Sequence, residues 1–279
     1  LGFGALVYGL SQLGGEGPHP VSPTVATAVG VVGVAIFALR QIQLQKGSGP
    51  LLDLRVLRSG RYTLCLAVMC AAFMGMLGVM ILLPIYLQNV RDVSVLQTGL
   101  LMMPGGLAMG LLGPLVGKLF DRHGARVLVL PGCTVILLVL LGFTQITVTT
   151  PVWWILALHI ALMVALAFAF TPVFTVGLSA LPGHLYSHGS SMLGTGQQLA
   201  AAAGAAVVVN VMASRATSLA KGGENVLAAT AGCMRCAVWR DAAICVVMVV
   251  LAAFLPGKES AGRPGHGHVP EPEPEMQTA

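Results

Sequence analysis

Long apolar stretches, bounded by short polar segments, run along most of the chain. A helix needs about 20 apolar residues to cross the hydrocarbon core of a bilayer, and it satisfies its own backbone hydrogen bonds there. The pattern therefore predicts an all-α membrane protein with one truncated span that ends near Leu13. It also predicts seven full spans, at about 24–39, 62–87, 96–116, 127–146, 152–176, 190–213 and 239–255.

Two segments lack this pattern. Between Arg40 and Arg61 leucines alternate with charged residues, which predicts an amphipathic linker on the cytoplasmic surface. Residues 256–279 are rich in Pro, Gly and Glu and cannot bury enough apolar surface to fold, so we expect a disordered cytoplasmic tail. The predicted domains are two linker helices in 1–39, the linker 40–61, a six-helix unit in 62–255 and the tail.

The composition supports a membrane protein. The chain is 56% hydrophobic and 9% charged, whereas soluble domains carry about 25% charged residues. It begins with Leu1, without an initiator Met or the charged start of a signal peptide. We therefore expect its start to lie upstream in a longer protein.

The basic residues divide unequally between the two sides of the membrane. If the truncated span runs outward, the inner loops and the tail hold ten Lys and Arg residues and the outer loops hold five. Because positively charged loops stay in the cytoplasm, this division places the tail and "GKLFDRHGAR", residues 117–126, inside. The net charge of +5 lies in short loops and not on one solvated face, so no nucleic-acid partner is expected.

The sequence lacks the usual residue patterns of enzyme sites. It has no paired acids, no nucleophile near a base and no glycine loop for a phosphate, so we expect neither an enzyme nor a cofactor. Cys233 and Cys236 of "CMRC" have the spacing of a redox or metal pair, but zinc would lack a second pair of ligands. They are a redox pair or two incidental cysteines, and no metal site is predicted.

The span at 96–116 concentrates residues that shape helix packing. Gly106, Gly110 and Gly113 share one face, where a neighbouring backbone can approach closely. Pro104 and Pro114 each remove a helix donor and permit a bend. These features fit an element that rocks during function, and equally a tightly packed helix with no moving role.

Four polar residues in later spans are candidates for a substrate pathway, because polar groups within a membrane need partners or water. They are His159, Gln197, Gln198 and Asn210. Each could instead form a hydrogen bond between helices. Pro172 marks a further bend candidate in the span that contains His159.

Carboxylates are missing from the predicted span interiors. Every Asp and Glu falls in a loop, near a membrane boundary or in the tail. Proton-coupled transport needs a titratable group within the membrane, usually an acid. If the protein is proton-driven, we expect the coupling acid to lie outside this chain.

The motifs resemble a known family. "GKLFDRHGAR" resembles the signature G-x-x-x-D-R-x-G-x-R of the major facilitator superfamily, carried here by Gly117, Asp121, Arg122, Gly124 and Arg126. "PLLDLRVLRSGRY", "LLPIYLQNVRDVSVLQTGLLMMPGG" and "TPVFTVGLSALPGHLYSHGSSMLGTGQQLAAAAGAA" are similar to the fourteen-helix drug:proton antiporters of the EmrB/QacA-like group. The resemblance covers almost the whole chain apart from the tail.

The resemblance implies the fold and the biological setting. The chain is expected to hold two extra helices and the C-terminal six-helix half of the transporter, and to pair with a missing N-terminal half. The implied partners are protons, the lipid bilayer and small apolar or cationic substrates, in a bacterial plasma membrane with the C-terminus cytoplasmic. Gln197 stands where many members carry Arg, so the role of that charge is not carried over.

The expected function is proton-coupled multidrug efflux by alternating access, in which the two halves rock around a midplane cavity. In the loop 117–126, Asp121 is expected to pair with an Arg or to cap a helix, forming a latch that breaks as the transporter changes state. The alternative for this loop is a topology signal with no latch. The alternatives for the protein are a non-transporting membrane module, or an exporter of an endogenous metabolite or lipid.

Overall fold

A computed structural model describes residues 2–12, 22–44, 53–147, 149–222 and 226–255. The side chains of Phe3, Ile42, Val207 and residues 10–12 and 209–237 fall outside this description. The predicted disordered tail, the side chain of Asn210, and the pair Cys233 and Cys236 therefore lie outside the described part.

The described residues form eight α-helices, which confirms the all-α prediction. Their bounds are α1 Gly2–Gln12, α2 Pro23–Leu44, α3 Gly60–Asn89, α4 Val95–His123, α5 Ala125–Thr144, α6 Val152–Ser179, α7 Tyr186–Gly222 and α8 Val226–Ala253. Among the described residues, 23–41 of α2 and the whole of α3, α4, α5 and α6 are long and apolar enough to cross a membrane.

Several helices extend beyond the apolar runs that predicted them. α4 continues to His123 instead of residue 116, and α8 begins at Val226 instead of residue 239. A hydropathy pattern ends at the first charged residues, whereas the backbone hydrogen bonds of a helix continue through exposed Lys, Arg and Asp. Helix ends read from hydropathy therefore mark the apolar part of each helix and not its length.

In its described part, the predicted amphipathic linker is divided between the neighbouring helices and one short 3-10 helix. α2 extends to Leu44. Residues 54–58 form a short 3-10 helix, whose start is capped by Asp53 accepting a 2.9 Å hydrogen bond from the Arg55 backbone N–H. Ser59 then caps α3 by accepting a hydrogen bond from the Tyr62 backbone N–H. Residues 53–59 thus form one short helical turn that leads directly into α3.

The six helices α3–α8 divide into two equivalent sets of three, α3–α5 and α6–α8, which pack mainly against each other. α4 packs against α6 in the same way as α7 packs against α3. Likewise α5 packs against α6, as α8 packs against α3. Exchanging the two sets preserves these pairings, which is the relation between the nested repeats of many transporter halves.

Helix α3 lies at the centre of this arrangement and is tied at both ends by buried tyrosines. The Tyr62 Oη donates a 2.7 Å hydrogen bond to the carbonyl of Gly189 at the start of α7. The Tyr86 Oη donates a 2.7 Å hydrogen bond to the carbonyl of Thr147, between α5 and α6. Because an unpaired buried hydroxyl is costly, these bonds fix the position of α3 along its axis relative to the neighbouring helices.

The first two helices form a close hairpin beside this bundle. A Cβ at Gly33 of α2 would lie 2.7 Å from the Cα of Gly2 on α1, so the two backbones touch. α1 also packs against α7. Two linker helices therefore precede the six-helix unit, as the sequence predicts.

Candidate functional site

The signature "GKLFDRHGAR" lies where α4 ends and α5 begins. Residues 117–123 belong to the last turns of α4, and α5 starts at Ala125. Only Gly124 separates the two helices. The prediction of a loop is therefore wrong for most of this segment, because its charged residues continue the helix into the aqueous boundary.

Gly124 forms the whole connection. Its φ of 82° and ψ of 171° lie in a region that L side chains rarely adopt, and its N–H donates a 2.8 Å hydrogen bond to the carbonyl of Phe120. Gly117, in contrast, lies within α4, and a Cβ there would meet nothing within 4 Å. The tight turn thus depends on Gly124 alone.

The charges of the signature point outward. Asp121, Arg122 and Arg126 are exposed, and no ion pair of Asp121 exists among the described residues. His123 bonds only locally, through its Nδ1 and the carbonyl of Leu119 at 3.2 Å. A latch at Asp121 would therefore need a partner outside the described part of this chain.

The predicted glycine face of α4 is open. A Cβ at Gly106, Gly110 or Gly113 would meet nothing within 4 Å. The leucines on the same helix are also exposed, Leu96 by 75% and Leu111 by 77% of their surface. The close helix approach expected at these glycines is absent among the described residues. The helix continues through both Pro104 and Pro114.

Helix α7 has an open face of a different kind. Ser187, Ser191, Thr195 and Gln198 are spaced three or four residues apart and are all exposed. The Ser191 and Thr195 hydroxyls each donate a 2.9 Å hydrogen bond to the carbonyl four residues earlier. The opposite side of α7 packs on α3, where a Cβ at Gly196 would lie 2.9 Å from Leu66. We call these four residues the polar face of α7.

The four candidate pathway residues do not come together. Gln198 belongs to the polar face of α7, while the neighbouring Gln197 is half-buried. Asn210 lies on α7, but its side chain is outside the description. His159 lies on α6 and is buried against α4.

Aromatic and hydroxyl side chains occupy α6 and α3 beside α7. Phe73 of α3 stacks on Phe170 of α6, with ring centroids 4.7 Å apart. One turn further along α6, Phe174 and Thr175 are exposed. Pro172, between them and Phe170, is buried within the continuous helix. Both α6 and α7 pack against α3, so apolar rings and polar groups flank the same central helix.

His159 occupies a tight seat between α6 and α4. The side chain is 1% exposed, and a Cβ at Gly105 would lie 2.7 Å from its Cδ2 and 2.8 Å from its Nε2. In the described part of the chain neither ring nitrogen has a hydrogen bond of good geometry, although the Met102 backbone lies close enough to interact with the ring. A cavity of about 10 Å³ beside the ring has room for about one water, far less than the roughly 300 Å³ of a ligand pocket.

Sequence reasoning missed Asp241. The predicted span 239–255 placed it near a membrane boundary, but it lies in the middle of α8 and is fully buried. Its carboxylate packs against Gly78, in the inner part of the predicted span α3. Both carboxylate oxygens lack a hydrogen-bond partner in the described part of the chain. The expectation that no carboxylate lies inside a span is therefore wrong.

A family model described as Major Facilitator Superfamily matches residues 5–205. An uncharacterized MFS-type transporter, YcnB of Bacillus subtilis, is 38% identical over 77% of this chain and 45% of its own length. Lincomycin resistance protein LmrB of Listeria innocua is 38% identical over the same two shares. Multidrug resistance protein Stp of Mycobacterium tuberculosis is 31% identical over 76% of this chain and 38% of its own length.

The chain thus spans less than half the length of these relatives. The match covers α1 to α7, including the signature, the open face of α4 and the polar face of α7. The helical bundle, the apolar spans and this match together identify a multi-pass membrane protein. The chain belongs to the major facilitator superfamily.

Proposed function

We propose that the chain forms the C-terminal half of a multidrug efflux antiporter, preceded by two linker helices. The relatives named for resistance to lincomycin and to multiple drugs support export of small apolar or cationic substrates. Proton coupling and alternating access follow from the resemblance to drug:proton antiporters. In this proposal the half rocks against an N-terminal half, with the C-terminus in the cytoplasm.

The polar face of α7 is the observation that carries the proposal. Hydroxyls can satisfy themselves on their own helix, as Ser191 and Thr195 do. An exposed amide such as Gln198 has no such bond, and burying an unpaired amide in an apolar medium costs roughly 1–3 kcal/mol. A water-filled path between the two halves removes this cost, so we infer that the polar face of α7 lines the substrate path.

The open face of α4 suits the same arrangement. Its small residues Gly106, Gly110 and Gly113 permit close backbone contact without a large polar group. We infer that the N-terminal half packs on this face. The polar face of α7 then borders the cavity, and α4 forms part of the contact between the halves.

A matched pair of threonines tests the path. Thr195 and Thr134 are both exposed, and each donates to the carbonyl four residues earlier, at 2.9 and 2.8 Å. In the transporter that includes the preceding half, Thr195→Val and Gln198→Leu should each lower efflux of lincomycin and cationic dyes roughly threefold to tenfold. This range corresponds to the loss of one hydrogen bond, about 0.5–1.5 kcal/mol. Thr134→Val on α5 should leave efflux unchanged.

Equal efflux by all three variants and the parent would overturn the assignment of the path. If the parent protein inserts into the membrane but exports neither lincomycin nor dye when a proton gradient is imposed, this result would instead favour the non-transporting module. If the protein exports only a cell metabolite or a lipid, this result would favour the alternative of an exporter for an endogenous compound.

The latch at Asp121 is a separate part of the proposal. We infer that Asp121 pairs with a basic side chain of the N-terminal half, because it is exposed and forms no ion pair in the described part of this chain. Asp121→Asn keeps every positive charge of the segment. We expect normal insertion with altered transport, measured by protease accessibility of the tail and by dye efflux. Unchanged transport would leave the segment as a topology signal only.

A further inference from the structure

Asp241 stands apart from the open faces described above, since it lies between α3 and α8. Its surface is fully buried, and one carboxylate oxygen occupies the space that a Cβ at Gly78 would fill. A Cβ at residue 78 would collide with this carboxylate in its present position. The contact between α3 and α8 is therefore built around the acid.

The described surroundings provide nothing that stabilises a negative charge. Among the described residues, none donates a hydrogen bond to either oxygen of Asp241, and no cationic side chain acts on it. Arg240, the residue before Asp241 on α8, is exposed. An ionised carboxylate without partners in an apolar interior is several kcal/mol too costly, whereas the neutral acid is tolerated.

The ionisable groups that face Asp241 from the described residues are thiols. Cys245, one turn later on α8, is fully buried and interacts with Asp241. Cys133 of α5 is buried beside Cys245. α3 presents the backbone of Gly78, and the described side chains of α7 bring no charge to the acid. None of these groups can compensate a carboxylate.

A metal ion does not suit this position. In the described residues no group of three or more His, Cys, Asp or Glu side chains could hold one. Hard cations take six or more oxygen ligands, and Asp241 offers one carboxylate. The ligand that fits a single buried carboxylate without partners among the described residues is a proton.

We propose that Asp241 is a proton-binding site, occupied when α8 packs against Gly78 of α3 and emptied when the two helices separate. On release the O–H bond breaks, the proton passes to water that enters between α3 and α8, and the carboxylate becomes hydrated. This inference goes beyond the proposed efflux function. It places a proton inside this chain, and it holds whatever substrate is transported.

Infrared spectroscopy of the chain in lipid nanodiscs tests the charge state directly. Spectra of the parent and of Asp241→Asn are compared, and the carboxylic-acid C=O band that is lost in the variant is assigned to Asp241. We expect this band at neutral pH, well above the pKa of about 3.9 of a free aspartate, and its loss at alkaline pH. A difference spectrum at neutral pH that shows only carboxylate bands, or a band that sodium ions remove at constant pH, would overturn the proposal. Circular dichroism checks that the variant keeps its helices.

Two glycine variants test whether the acid depends on the space at Gly78 or on helix packing in general. A Cβ at Gly78 would collide with the carboxylate, whereas a Cβ at Gly75 would meet the Cys245 Sγ at 3.6 Å, an ordinary contact. Gly78→Ala should therefore remove most of the acid band at neutral pH, and Gly75→Ala should keep it. Equal bands in the two variants would contradict a dependence on the space at Gly78.

Cys245 reports whether the helices separate. Its modification by a membrane-permeant maleimide is followed by mass spectrometry of its peptide, in the parent chain and in Asp241→Asn. The labelling rate of the parent divided by that of Asp241→Asn removes the pH dependence that the thiol has in both proteins. We expect a ratio near one at about pH 5 and a severalfold rise by about pH 9. An ionised Asp241 would by its charge alone slow the thiol, so a rise reports opening. A ratio that stays near one overturns the proposal.

Discussion

His159 and Asp241 are two buried ionisable side chains that pack in similar ways. Each is buried within the bundle, each rests on a glycine of a neighbouring helix, and each lacks a hydrogen bond of good geometry in the described part of the chain. His159 lies on Gly105 of α4, and Asp241 lies on Gly78 of α3. They differ in what burial demands of their protons.

A histidine is mostly neutral in water at pH 7, so burial asks for no proton. An aspartate is ionised in water at pH 7, so the same burial requires it to take one up. Geometry alone makes the two sites look alike. The chemistry makes one a passive packing residue and the other a candidate proton carrier.

Placing large side chains at Gly78 and Gly105 should have the largest effect on stability. Gly78→Leu and Gly105→Leu each place a side chain where the acid or the imidazole lies, so we expect a loss of about 3 kcal/mol or more in the free energy of unfolding. Gly110→Leu, on the open face of α4, should cost little. Unfolding by guanidinium in neutral detergent measures all three. A cost at Gly110 as large as at Gly78 and Gly105 would show that the described packing is wrong.

The pH dependence of stability should separate the two sites by sign. If folded Asp241 keeps a proton that the unfolded chain releases above about pH 4, its contribution falls as the pH rises, by up to about 1.4 kcal/mol per pH unit. If folded His159 stays neutral while the unfolded chain protonates below about pH 6.5, its contribution falls as the pH drops. Profiles of Asp241→Asn and His159→Gln, each compared with the parent, give the two slopes. Slopes of the same sign would break the comparison.

The smallest effect should come from two adjacent glycines of α4. Gly105→Ala puts a methyl group 2.7 Å from the His159 ring, which must shift, and we expect a cost of about 1 kcal/mol. Gly106→Ala meets nothing within 4 Å and should gain up to about 1 kcal/mol from the better helix propensity of alanine. The same unfolding assay applies. A gain at residue 105 would mean that His159 has room to spare.

Hydropathy predicts the helices well because length and apolar character are properties of local sequence. It cannot tell which face of a helix finds a neighbour. Gly105, Gly106 and Gly110 lie in one cluster, and only Gly105 packs against a side chain. That choice depends on α6, which lies about fifty residues further along the chain.

Asp241 was missed for a related reason. The first half of α8 contains Thr230, Gly232 and Arg235, so the apolar window opens only near residue 239 and makes the acid look like a boundary residue. The helix begins much earlier, and the tertiary contact with Gly78 buries the acid. The available signal was one carboxylate followed directly by a long apolar run without further charge.

Because only Gly124 links α4 to α5, α4 could rotate as a rigid rod about this end. α4 has 29 residues and is therefore about 43 Å long at about 1.5 Å per residue. It is joined to α5 through one backbone position, and the two helices touch only sparsely. A tilt of about 10° about that pivot sweeps the far end of α4 through about 7 Å, which is more than the roughly 5.4 Å pitch of a helix. A small rotation of α4 about its charged end would thus be amplified across the membrane.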